Sequence, residues 1–264
     1  MKKYLTIIKT YWQRGLTYRF TILAYRAGEM AEAVVLVLMW TAIYSDQNVI
    51  KGFTLPEMIT YFLIGNLFSV ATRNFLPGLM SRDIKDGGLS MFLLRPMSYF
   101  NFILSREIGR MSFVTALSLV TNGLIILFFL NYFIFNFDIP YLLLIAIMIS
   151  LAFIVELLIS YIVGLVAFWT DEVDGLHSTF DKLKKLFSGG YFPISILPAI
   201  FVNVSYALPF AYSFFVPAQL YLKKIDLMAG ARGIFVQIVW IIALYIISNF
   251  VWKRGLRRYE GTGI

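Results

Sequence analysis

The sequence predicts an all-α integral membrane fold. Six transmembrane helices are expected, with an N-terminal amphipathic helix at the inner interface, a short cytoplasmic helix after the second span and broken re-entrant helices at the outer face. Three observations carry this. Of 264 residues, 59% are hydrophobic, 17% aromatic and only 14% charged, whereas a soluble domain holds roughly 45–50% apolar and about 25% charged residues. A soluble fold of this length could not hide so much apolar surface. Disorder, collagen-like repeats and disulfide-stapled secreted folds are excluded by the same figures. The apolar residues also fall in stretches long enough to span a bilayer, which takes about 20 residues for about 30 Å of hydrocarbon. Finally, the net charge of +8 is unevenly placed along the chain, as the excess of Lys and Arg on the cytoplasmic side of membrane proteins requires.

Taken in order, the N-terminal segment places Tyr4, Ile7, Ile8, Tyr11 and Trp12 at helical spacing among Lys2, Lys3, Lys9, Arg14 and Arg19. This is the pattern of a basic helix lying in the interface, and both a topology anchor and a mechanical role fit it. Lys9 and Arg14 stand where the apolar core of a secretory signal would lie, and no small-residue cleavage site follows, so no signal peptide is expected. Span one covers about Ala27 to Tyr44, with Glu29 and Glu32 near its inner end and Arg26 one turn before Glu29. Pairing of these acids with basic loop residues is expected. Span two covers about Pro56 to Leu76 and opens on a capping box, Thr54 with Glu57 three residues on and Pro56 in the first turn.

The next loop, from Pro77 to Arg110, allows a short helix over Met80 to Asp86 that Gly87 ends by taking a positive φ. Leu89 to Leu94 is apolar enough to press back on the membrane, and Pro96 disfavours helix at Arg95 and forces a turn. A solvated connector and a short rigid helix able to push on the spans are both open readings. Span three covers about Met111 to Phe133. Span four covers about Pro140 to Trp169 with Asp138 at its N-cap, and is long enough to tilt.

Glu156 lies midway along span four among Ile, Leu, Val and Phe. An ionised side chain there costs about 2.5–3.5 kcal/mol or more, so it should face the bundle interior and have a partner. Substrate contact and a protonated helix–helix hydrogen bond are the two readings. After span four, Asp171, Glu172, Asp174 and Asp181 lie beside Lys182, Lys184 and Lys185. Asp181 and Lys185 have i,i+4 spacing, and a metal site is a weaker alternative. Four of the eight prolines, Pro193, Pro198, Pro209 and Pro217, then fall within 25 residues. A straight helix cannot contain them, since each interior proline costs about 3 kcal/mol. The expectation is a fifth span ending near Gly190 to Ile196, then short helices dipping into the outer leaflet. Such broken backbone should face a partner or a wet path. Gly230 to Trp252 forms the sixth span.

With the N-terminus inside, cytoplasmic segments hold 19 of the 23 Lys and Arg, leaving Lys51, Lys223, Lys224 and Arg232 outside. Both termini are therefore expected in the cytoplasm. No internal repeat or linker appears, so residues 1–264 read as one transmembrane domain. Within it, 1–20 form the interfacial helix, 80–96 the cytoplasmic loop and 188–228 the broken outer segment. The basic excess is topological, and no nucleic-acid partner is expected.

Absent motifs narrow the chemistry. There is no cysteine, which removes thiol catalysis, cysteine metal sites and disulfides and leaves the redox compartment open. There is no G-x-x-x-x-G-K-[ST] loop to cradle ATP phosphates and no H-E-x-x-H. His177 has no second histidine to share a metal, and no G-x-S-x-G elbow occurs. An enzyme is disfavoured.

At this point the order of segments resembles a known family. After the basic helix and span one come D-G-G-L-S-M-F-L-L-R-P-M-S, then F-W-T-D-E-V-D-G-L, then F-S-G-G-Y-F-P-I-S-I-L-P, A-L-P-F and V-P-A-Q-L-Y-L. Over nearly its whole length the chain is similar to permease subunits of type-2 ABC (ATP-binding cassette) exporters, small six-span proteins encoded with a separate ATPase. The resemblance implies a cell (inner) membrane location. It also implies a second permease, identical or related, two ATPase partner subunits, and lipids around the pair. No cofactor would sit in this chain, with ATP and Mg bound by the partner ATPase. The coupling loop would contain Arg82, Asp83, Lys85, Asp86, Gly87, Gly88, Arg95 and Pro96. The translocation path, along spans one, two and five, would include Glu156, Gly189, Gly190, Phe192, Pro193 and Pro209. The charged run Asp181 to Lys185 departs from the more apolar family pattern, so span five begins either near Gly175 with buried charge or only after Lys185. The rival function is an ion-gradient-driven secondary transporter with Glu156 as proton carrier. Inverted repeats would be expected there, and none is found. An intramembrane enzyme is the third reading.

Overall fold

The computed structural model describes residues 2–170 and 173–259; Asp171 and Glu172, named above, lie outside the described residues. The helices are α1 (Lys2–Thr17), α2 (Arg19–Ile43), α3 (Leu55–Thr72), α4 (Leu76–Lys85), α5 (Gly88–Leu93) and α6 (Tyr99–Phe128). They continue with α7 (Ile139–Leu165), α8 (Val173–Phe187), α9 (Ala199–Ala207), α10 (Phe215–Tyr221) and α11 (Leu227–Arg258). The only strands among the described residues are β1 (Val49–Ile50) and β2 (Phe53–Thr54), an antiparallel hairpin between α2 and α3 with Ile50 opposite Phe53. Its turn residues Lys51 and Gly52 both take positive φ, 47° and 82°, the backbone a tight two-residue hairpin needs.

Among the described residues three helices are long and apolar enough to cross a membrane: α6, α7 with its 3-10 extension to Phe168, and α11. The others are more polar or shorter. α2 carries Arg26, Glu29 and Glu32. α8 has 15 residues, a rise of about 22 Å.

α3 starts as the capping box predicts. The Thr54 backbone N–H donates to Glu57 Oε2 at 2.7 Å, and the Thr54 hydroxyl lies 3.0 Å from the same oxygen. α3 ends at Thr72, short of Leu76, because Pro77 opens the first turn of the separate helix α4. α6 begins at Tyr99 rather than near Met111. The polar stretch before Met111 stays helical because its charges find partners: Glu107, 1% exposed, takes Arg110 at 2.7 Å. α1 packs along this extension. Gly109 has no side chain where the Ile8 backbone passes, and Gly15 sits on the Phe113 ring. The Trp12 and Phe113 rings meet edge-on with centroids 5.5 Å apart. The apolar stripe of α1 thus has a protein partner.

α7 is the hub, packing against α3, α4, α8, α10 and α11. Asp138 stands at its N-cap, but its carboxylate pairs with Lys223 at 2.8 Å rather than with the helix. On one side of the fold Tyr61, Met58, Ile59, Met148 and Leu220 form the main core; at the other end Leu76, Met80, Leu89, Ile103 and Leu165 form a second. Each proline of the broken segment stands at the start of an element. Pro193 and Pro198 precede the turn Ile194–Ile196 and α9, Pro209 opens the turn Pro209–Ser213, and Pro217 lies in the first turn of α10. There no helical hydrogen bond is lost.

Candidate functional site

The loop between α3 and α6 forms as its punctuation predicts. α4 ends at Lys85, and Gly87 turns the chain with φ 77°. α5 then presents two faces. Leu89 and Phe92 are buried against Tyr99 and Ile103, while Met91 and Leu94 are 70% and 88% exposed. Helical spacing thus splits Leu89 to Leu94, with Leu89 and Phe92 turned to the protein and Met91, Leu93 and Leu94 turned outward. Arg82, Asp86, Gly88, Arg95 and Pro96 are exposed; Lys85 and Gly87 are half-buried. Asp83 is half-buried and accepts from the Tyr99 hydroxyl at 2.9 Å. The turn at Arg95 is closed by Arg95 N–H donating to the Phe92 carbonyl at 2.9 Å. Lys3 of α1 donates to the Pro96 carbonyl at 2.6 Å, so the loop and α1 are tied together.

Beyond this loop lie two ionic networks, each built on a buried charged group, Arg26 in one and Glu156 in the other. In the first, Glu29 bridges Arg26 at 2.6 Å and Arg73 at 2.5 Å. Arg110 donates to the Arg73 carbonyl at 3.1 Å and Arg26 to Ser118 Oγ at 3.0 Å. This joins α2, α3 and α6. In the second, Glu156, 3% exposed, pairs with Lys184 at 3.1 Å. Lys184 also meets Asp181 at 3.0 Å, and His177 Nε2 lies 3.4 Å from Asp181. The adjacent Lys185 pairs with Glu32 of α2 and stands over the Tyr191 ring. Two neighbouring lysines at the end of α8 therefore clasp two different helices, α7 and α2. Asp181 pairs with Lys184 and not with Lys185, because Glu32 takes the latter. Glu29 and Glu32 do pair with basic residues, as their position in span one predicts. α8 begins at Val173, with Asp174 and Lys182 exposed and Lys184 turned to Glu156.

Asn74 was not singled out by its sequence context. It is buried, accepts from the Leu76 N–H at 3.2 Å and donates to the Glu156 carbonyl at 3.4 Å. It fixes the corner between α3 and α4 onto α7. Its only sequence signal is a polar residue between two apolar runs.

Of the residues assigned to a path, Glu156 pairs with Lys184 near the end of α8, and Gly189–Gly190 follow that helix. Gly189 has φ 85°, and Tyr61 donates to its carbonyl at 2.7 Å. A cavity of about 30 Å³ lies between Glu32, Asn66, Ser69, Arg73, Lys185 and Gly190, where the two networks approach each other. It has room for about one water. Phe192 is half-buried against the main core, and Pro193 is buried. Pro209 lies apart, buried in an apolar set with Phe180, Phe210 and Trp240.

The broken segment faces its own chain. The Phe215 N–H donates to the Ser188 carbonyl at 3.1 Å, Gln237 of α11 to the carbonyls of Met148 and Tyr212 at 3.1 and 3.2 Å, and Trp240 to that of Ala207 at 3.0 Å. α9 alone keeps an exposed apolar side, with Ile200, Phe201 and Val204. A cavity of about 760 Å³ between α6, α7 and α11 is lined almost wholly by apolar side chains and is separate from both networks.

The arrangement contains clasps, turns and packed corners, and among the described residues no group of His, Asp and Glu suited to a metal ion. No curated protein matches the chain. A family model described as ABC-2 family transporter protein matches residues 30–263. With that match over most of its length and its apolar helices, the chain belongs to the ABC-2 transporter family of membrane permeases.

Proposed function

We propose that this permease is the membrane subunit of an ATP-driven exporter, worked from the cytoplasm by a separate ATPase chain that binds ATP and Mg. In this reading α2, α3, α6, α7, α8 with the segment after it, and α11 supply six crossings, and both termini are cytoplasmic. A second permease, identical or related, completes the path. Substrate passes along α2, α3 and α8, close to Glu156 and Gly189–Gly190. Nucleotide binding biases two states of the permease pair, which is the thermodynamic requirement for coupling.

The observation that carries this reading is the inner loop. α5 is anchored by Leu89 and Phe92 and offers Met91 and Leu94 outward, flanked by exposed Arg82 and Arg95. An exposed apolar knob with a charged rim is the composition of a docking surface. Arg82→Glu and Leu94→Glu change exposed side chains, so each is expected to lower transport-coupled ATPase activity about tenfold, about 1.4 kcal/mol of docking, with assembly retained. Asp83 is a poorer probe, because its variant also removes the Tyr99 hydrogen bond. Purification of the complex and identification of its chains completes the test. A chain that moves cargo with no ATPase present, or wild-type coupling in both variants, overturns the proposal.

A further inference from the structure

We infer that the permease carries an anion-binding pocket at its outer mouth, built on Arg232, that takes the phosphate-type headgroup of an amphiphile. The outer placement rests on the topology proposed above. Two other basic residues assigned to the outer face are neutralised within the fold: Lys223 by Asp138 at 2.8 Å and Lys224 by Glu57 at 2.8 Å. Arg232 differs. It meets no carboxylate among the described residues and lines a cavity of about 230 Å³ between α9, the turn Pro209–Ser213 and the first turns of α11. Ala229 and Gly233, one turn apart on α11, leave the floor of this cavity low, and Tyr206 and Tyr212 form a wall. A side chain at position 233 would press on the Tyr212 ring, with its Cβ 3.0 Å away.

The chemistry of this set is one-sided. A guanidinium offers planar, paired donors that fit a phosphate or carboxylate. The Tyr206 phenol is neutral at ordinary pH, its partial burial only raises its pKa further, and it repels no anion. The Tyr212 hydroxyl is already committed, donating to the Tyr206 carbonyl at 2.8 Å, which fixes the wall. Val216, Ile225 and Val236 make the rest apolar. One cation at the rim and hydrocarbon beneath suit a headgroup with attached chains better than a free polar solute. Such a ligand reaches the pocket either from the outer leaflet or as exported cargo.

The test uses the full chain in a neutral detergent, read by native mass spectrometry. It is titrated with phosphatidylglycerol, with phosphatidylcholine of the same chains, and with phosphatidylglycerol against an excess of glycerol phosphate. Wild type is expected to hold phosphatidylglycerol about tenfold more tightly than phosphatidylcholine. Arg232→Gln should erase the preference, and Arg232→Lys should keep part of it. Competition by glycerol phosphate supports an anion site filled from either source; retention against it supports a lipid as the source. Equal binding of the two lipids by wild type, or an undiminished preference in Arg232→Gln, overturns the site. Because the chain has no cysteine, Arg232→Cys can be labelled with an impermeant maleimide in intact cells. Labelling only after permeabilisation overturns the outer placement and the proposed topology with it, whatever the lipid titration shows.

Discussion

Glu156 illustrates how one residue sets a constraint that the rest of the chain must satisfy. An acid among Ile, Leu and Val needs a partner, and the chain supplies Lys184 from the opposite side of an interhelical contact, 3.1 Å away. Removing Lys184 strands the buried Glu156, whereas removing both does not. Lys184→Met should lower stability by about 3–5 kcal/mol, and Glu156→Gln by less, because Lys184 keeps Asp181 at 3.0 Å. The pair Glu156→Leu with Lys184→Met should recover most of that, read as thermal unfolding in detergent. Additive losses in the double variant would show that the two residues act separately. That Glu156 needs a partner was legible in the sequence, and so was the pairing of Glu29 and Glu32. Which lysine answers Glu156 was not, because Lys182, Lys184 and Lys185 are equivalent until the rotation of α8 is known. Asn74 was illegible for a similar reason: its work is a contact with a carbonyl 82 residues away.

At the scale of the element, local punctuation was readable and docking was not. Thr54 with Glu57, Gly87 and the prolines of the broken segment all act within a few residues of themselves, so the sequence specifies them directly. The packing of α1 on α6 depends instead on Gly109 and Gly15, two absences of side chain that give no periodic signal. Gly109 allows the Ile8 carbonyl to approach the α6 backbone directly. Gly109→Val should force the helices apart at a cost of about 1–3 kcal/mol. Amide hydrogen exchange of residues 2–17 should rise while that of α7, packed on five other helices, stays slow. Unchanged protection of α1 would show that the Lys3–Pro96 tie and the Trp12–Phe113 contact suffice without close approach. The same contact has a mechanical meaning in the proposed function, since α1, α6 and the coupling loop share that tie and would move together.

For the whole molecule, the decisive question is whether α8 carries the chain across. Its 15 residues rise about 22 Å against about 30 Å of hydrocarbon, and its end is clasped by Lys184 to the buried Glu156 of α7 and by Lys185 to the exposed Glu32 of α2. The chain then turns at Gly189 and continues through Ile194–Ile196, which adds the missing length with backbone held by Tyr61 and Phe215. If this composite crosses, α9 and the start of α11 lie outside and Lys253 lies inside. If it does not, α9 stays inside and α11 delivers Lys253 to the outside, leaving five crossings. The absence of cysteine makes the distinction clean. Single cysteines at Asp46, Phe137 and Ile200 should react with an impermeant maleimide in intact cells, and those at Arg82 and Lys253 only after permeabilisation. The charge distribution favours this outcome, because reversing α11 alone would place Lys253, Arg254, Arg257 and Arg258 outside, against the cytoplasmic bias of basic residues. Ile200 reacting only after permeabilisation, with Lys253 reached from outside, would show that the clasped helix returns to the face it left and that the path must be built from α2 and α3 without it.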